Sequence, residues 1–155
     1  MWIAGVVITL LVVLGIYEYR LRKPDQLVLY ETAGTIRLRD GAFYPRHFSL
    51  ALPGTTHQTE LKIDSIARGS VPLRTTLAVT VAPSRDNLLS LVRVGGWQRD
   101  AVVKASREFE TVIQGIVKAF TEGCLIEDLS SENLQQHLWT GAEVRAARFG
   151  LELVS

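Results

Sequence analysis

VPLRTTLAVTVAPSRDNLLSLV, residues 71–92, changes its hydrophobic period halfway along. As far as Val81 the period is two. Val71, Leu73, Thr75, Leu77, Val79 and Val81 share one face of an extended chain, and Arg74, Thr76, Ala78 and Thr80 share the other. This predicts a strand with one core face and one half-wet face. Beyond Pro83-Ser84 the period becomes about 3.6. Ser84 is placed to cap a short helix through Val92, and Gly95-Gly96 ends it. The segment is the hinge of the sequence, with strands expected before it and helices after it.

Upstream, THQTELKIDSIARGS sets His57, Thr59, Leu61 and Ile63 against Gln58, Glu60, Lys62 and Asp64, a second alternating strand. DQLVLYE alternates in the same way, and GTIRLRDGAFYPRHFSLALPG places Asp40-Gly41 between Leu38 and Phe43. Asp-Gly between alternating runs predicts a hairpin there. Downstream, Val102, Ala105, Phe109, Val112, Ile113, Ile116, Val117 and Phe120 recur three and four apart, predicting a helix from about Arg99 to Phe120 that Gly123 stops. Ser130 is placed as the N-cap of a further helix running towards Arg148, with Leu129 and Leu134 as a hydrophobic staple. Gly141 inside that helix costs about 1 kcal/mol against alanine and points to close packing. LELVS at the end resumes strand character. Strands, then helices, then one strand is an α+β order.

The apolar residues are not evenly spread. MWIAGVVITLLVVLGIY, residues 1–17, carries no charged side chain, and at 1.5 Å per residue its apolar part reaches about 24 Å. It is flanked by Trp2 on one side and by Tyr17 and Tyr19 on the other, with Arg20, Arg22 and Lys23 following. A signal peptide would have its basic residues ahead of the apolar run and a small-residue cleavage site behind it, and neither is present. The expectation is therefore a membrane anchor over residues 1–23, closed by Pro24, and a domain over residues 24–155. Trp2, Ile3, Val6, Val7, Leu10, Leu11, Val13, Leu14 and Tyr17 would face lipid, and Tyr19, Arg20, Arg22 and Lys23 would meet headgroups. Positive charge on the C-terminal flank alone predicts a single-pass protein of the inner membrane, its domain cytosolic and its N-terminus outside.

Composition excludes more than it suggests. Seventeen basic against sixteen acidic side chains leave a net charge of +1, so no general field draws nucleic acid or an acidic substrate. Cys124 is the single cysteine, which rules out an internal disulfide, and its neighbours suggest a small buried hydrophobe rather than a nucleophile. His47, His57 and His137 are isolated in sequence and form no metal-ligand spacing. No nucleophile elbow, Ser-x-x-Lys pair or glycine-rich phosphate loop is present. No catalytic, metal or cofactor residue is expected.

Over Gln26–Ser155 the chain resembles the SPFH, or band 7, family of stomatins, prohibitins, flotillins and their bacterial relatives. An apolar N-terminal helix precedes QLVLYETAGTIRLRDG, similar to the family's opening strands. LKIDSIARGSVPLRTTLAVTVAPSRDNL resembles its glycine turn, long strand and Asp-started helix, and FTEGCLIEDLSSENLQQHL its turn between two helices. FGLELVS resembles the strand that leads on to a coiled coil, which would place such a coil after Ser155. The resemblance implies a membrane-anchored scaffold that assembles into rings and organises a membrane microdomain, with the lipid bilayer and other copies as partners. An alternative it carries is a regulatory or adaptor subunit of a membrane protease, or a partner of NfeD-type proteins.

Overall fold

The computed structural model describes residues 2–155 and divides the chain into two compact units, Met1–Pro53 and Gly54–Ser155. The boundary expected at residue 23 falls inside the first unit.

The first unit contains helix α1 (Trp2–Glu18) and strands β1 (Tyr19–Leu21), β2 (Gln26–Thr32), β3 (Thr35–Leu38), β4 (Phe43–Pro45) and β5 (Leu50–Pro53). β1 and β4 form a two-stranded antiparallel ribbon, with Tyr19 opposite Pro45 and Leu21 opposite Phe43. β2 is the centre of a second sheet, antiparallel to β3 on one side and β5 on the other. Leu27, Val28 and Leu29 are consecutive and all buried, so β2 is the strand expected there but is covered on both faces along these three residues.

Three sequence expectations need correction in this unit. First, the helix stops at Glu18 and not at Pro24, because Tyr19–Leu21 give their backbone groups to the ladder with β4. What remains is a 17-residue helix, about 25 Å long against a hydrocarbon layer of about 30 Å. Among the described residues, no helix is long and apolar enough to cross a membrane. The transmembrane anchor is overturned, and with it the single-pass placement in the inner membrane and its orientation. Second, Tyr19, Arg20, Arg22 and Lys23 belong to a β-ribbon and its exit loop instead of a helix end.

Third, Asp40-Gly41 joins no hairpin: β3 already pairs with β2, and β4 pairs with β1. The hairpin lies one turn earlier. Thr32 opposes Thr35 across a two-residue loop in which Ala33 (φ 49°) and Gly34 (φ 74°) are both left-handed, the geometry that matches the twist of paired strands. Gly34 takes that conformation at no steric cost, whereas Ala33 holds its Cβ against a carbonyl. Ala33 is exposed, so its side chain packs against nothing. Ala33→Asn is expected to raise stability by about 1 kcal/mol, seen as a higher urea midpoint. A lower midpoint would show that the loop is built differently.

The second unit contains β6 (His57–Ala67), β7 (Val71–Pro83), α2 (Leu88–Gly95), α3 (Ala101–Gly123), α4 (Ser131–Ala146) and β8 (Leu151–Leu153), with single 3-10 turns at Ile126–Asp128 and Ala147–Phe149. β6, β7 and β8 make one antiparallel sheet in that order. The β6–β7 ladder runs from His57 opposite Val81 to Ala67 opposite Val71, and Leu61, Ile63, Val79 and Val81 are buried on its inner face as the alternation required. α3 packs across β6 and buries Val102, Ala105, Phe109, Ile113, Ile116 and Val117 from the expected stripe. On the outer face Asp64 and Arg74 oppose each other, with Arg74 Nε donating to Asp64 Oδ1 at 2.7 Å. That hydrogen bond, and then the positive charge itself, lowers the Asp64 pKa below the usual carboxylate value.

Two caps can be compared with expectation. Ser130 Oγ accepts from the N–H of Asn133 at 3.1 Å, as its position before α4 implied. Ser84, by contrast, does not begin α2. Its own N–H donates to the Gly150 carbonyl at 2.9 Å and its Oγ accepts from Asn87 Nδ2 at 3.2 Å, so it ties the end of β7 to the start of β8. α2 then starts four residues later, after Asn87. Gly141 does sit over Ile116, where an added Cβ would meet that side chain at 3.5 Å, an ordinary contact distance.

Candidate functional site

The residues expected to meet lipid all lie on α1, and the helix buries none of its residues. Trp2 is 91% exposed, and even Val7, the most covered of the nine, is 51% exposed. Apolar side chains occur all round the helix, so there is no polar face to turn towards water. An apolar surface of this size, on every side of a helix, is more than folded monomers ordinarily leave exposed.

The expected headgroup residues divide. Tyr19, Arg20 and Lys23 are exposed. Arg22 is half-buried, and its Nη1 donates to the Arg39 carbonyl at 2.8 Å, so this guanidinium helps hold the unit together. Of the four expected headgroup residues, the charges left exposed beside the helix are therefore those of Arg20 and Lys23.

Sequence reading missed the group at the base of α1. His47 Nδ1 lies 2.6 Å from Glu18 Oε2, the Arg46 N–H donates to the Glu18 carbonyl at 2.7 Å, and the Arg46 guanidinium lies 5.6 Å from the centre of the Tyr17 ring. The Tyr17 and His47 rings are 6.1 Å apart. Glu18 Oε1 is buried without a hydrogen-bond partner among the described residues. These contacts fix the last turn of the helix to the ribbon. They link residues 28 to 30 apart in sequence, and only the pairing of Tyr19 with Pro45 brings them together, so no local spacing could have shown them.

The other chemically capable side chains are scattered. Among the described residues no three His, Cys, Asp or Glu side chains come together as a metal-binding group. The His137 ring stacks on Phe120 with centroids 4.8 Å apart, and His57 begins β6. Cys124 is half-buried rather than buried, and its carbonyl accepts from the Arg68 N–H at 3.0 Å.

No protein-family model matches this chain, and no curated protein matches it at a significant level.

Proposed function

We propose that this chain is a non-catalytic scaffold: α1 dips into a lipid surface without crossing it, and copies held there associate side by side. One observation carries the reading, the all-apolar helix with no buried residue, held at its base by the β-ribbon. Water is a poor environment for such a helix, and lipid or other copies are the available cover. Arg20 and Lys23 stand exposed just past the end of α1, where anionic headgroups would favour them. The ordered resemblance to SPFH-type scaffolds supports the same reading.

Vesicle flotation together with light scattering tests it. The full chain is expected to float with anionic vesicles and to scatter as a large oligomer. Val7→Glu with Leu11→Glu replaces two apolar groups by charges at about 3 kcal/mol each, enough to lower lipid partitioning by about a thousandfold or more. A wild-type chain that stays at the bottom of the gradient, or one that remains monomeric on the vesicles, would remove the proposal.

A further inference from the structure

The edge of β7 that faces β8 is only partly paired. β8 covers Val81 to Pro83, and just past it the Thr80 N–H donates to the Ser155 carbonyl while the Thr80 carbonyl accepts from the Val154 N–H. Backbone groups in an antiparallel sheet alternate sides along a strand, so Ala78, Thr76 and Arg74 turn their N–H and C=O groups to the same edge as Thr80. Among the described residues no strand pairs with them there. Pro72 agrees with this placement, because its missing N–H falls on the same open side.

Burial follows the pairing. On the inner face of the sheet Val81 and Val79, at the end that β8 covers, are buried, whereas Leu77, Thr75, Leu73 and Val71 are only half-buried. Their partners on β6, which are Leu61, Ile63, Ser65 and Ala67, are all buried, so cover is missing on the β7 side alone. The groove along this edge has α4 as its other wall, where Leu134 and Leu138, four apart on the helix, are half-buried too. The open stations at Ala78, Thr76 and Arg74 recur about every 7 Å, the spacing at which a second extended backbone repeats its own donors and acceptors. β8 shows what the edge accepts: Leu151 and Leu153 turn inward and Glu152 turns outward.

We propose that Ala78, Thr76 and Arg74 take up an extended segment of a partner protein as a further strand, antiparallel to β7 and in line with β8. Its inward residues, opposite Leu77, Thr75 and Leu73, are apolar and fill the groove between β7 and α4. Its outward residues are polar, with a carboxylate opposite Arg74, whose exposed guanidinium is met by Asp64 from the β6 side. The interface continues the β7–β8 ladder and needs neither α1 nor a lipid surface.

The probe is a fluorescein-labelled peptide, TVTVEL, capped at both ends. In this register it sets threonine opposite Ala78 and Thr76, valine opposite Leu77 and Thr75, and glutamate opposite Arg74. Its fluorescence anisotropy is expected to rise saturably with the full chain, and hydrogen exchange at the Thr76 and Ala78 amides to slow at least tenfold at saturation. N-methylation of both threonines removes N–H groups that point at β7 and is expected to weaken binding at least tenfold. N-methylation of both valines alters only N–H groups that point away, and is expected to change binding less than threefold.

On the protein, Thr76→Pro withdraws a donor from the open edge, and Leu138→Lys places a charge in the groove wall. Each is expected to bind at least tenfold more weakly. Both are first checked by circular dichroism, and Leu138→Lys, at a half-buried helix position, decides the matter if the proline variant fails to fold. Absence of a saturable rise, a threonine-methylated peptide that binds as tightly as its parent, or a folded Leu138→Lys chain that binds as well as its parent would each overturn the proposal. Exchange at Thr76 and Ala78 that slows with chain concentration in the absence of peptide would give the edge to a second copy and overturn it equally. Peptide adsorbed on α1 would not distinguish the two methylation patterns.

Discussion

Gly150→Ala is expected to lower the stability of the second unit by about 2–5 kcal/mol, a large part of the 5–15 kcal/mol typical of a domain. Two costs add. Gly150 has φ 70°, a left-handed conformation that an alanine resists by about 1–2 kcal/mol. Its added Cβ would also lie 2.3 Å from the backbone nitrogen of Leu91, and a backbone atom cannot swing aside as a side-chain tip can. Either β8 or α2 must shift, and β8 is held by Thr80, Ala82 and their neighbours on β7. Urea unfolding of the full chain, followed by circular dichroism, reads the loss directly. A midpoint equal to that of the parent would show that Gly150 does not pack against α2.

Phe109→Ala is expected to cost about 3–5 kcal/mol. Phe109 is fully buried on α3, and its ring lies 5.6 Å from that of Phe149, which joins the helix layer to the turn before β8. Removing the ring leaves a void that backbone on either side cannot close. Phe120, on the same stripe but only half-buried beside His137, provides the internal comparison. Phe120→Ala is expected to cost less than half as much, because water already reaches part of that ring. Equal losses at both positions would mean that the centre of the core has been misplaced along α3.

The candidate site was partly legible in advance. Composition alone marked Trp2 to Tyr17 as an apolar unit, because no charged residue interrupts it. Its lack of cover within the unit was not marked: a helix with no polar face is ordinarily buried or in lipid, and only the structure shows that it packs under nothing. Its end was not legible. Tyr19, Arg20 and Leu21 read equally well as a last helical turn or as a strand, and the partner that decides between them, Phe43–Pro45, lies over twenty residues away. Shortening the helix to 17 residues is what removed the membrane span. The cluster of Glu18, Arg46 and His47 depends on the same pairing and was hidden for the same reason.

By itself the sequence determined the elements whose cause is local. Alternation placed the long β6 and β7 on the right faces, three-and-four spacing placed α3, and a serine before a polar first turn placed the start of α4. In each, the residues that define the element are also its own neighbours. Only the tertiary structure decided which short strands pair. Ala33-Gly34 turns the chain where Asp40-Gly41 offered the better turn residues, because β2 has partners on both sides and β4 is claimed by β1. Likewise the Ser84 N–H donates to the Gly150 carbonyl and its Oγ accepts from the Asn87 side chain, instead of accepting from the first-turn N–H groups of a helix. Sheet partners compete across long loops, and the winner is set by which arrangement buries Leu27, Val28, Leu29 and Leu52 together, a sum over distant contacts that no window of sequence contains.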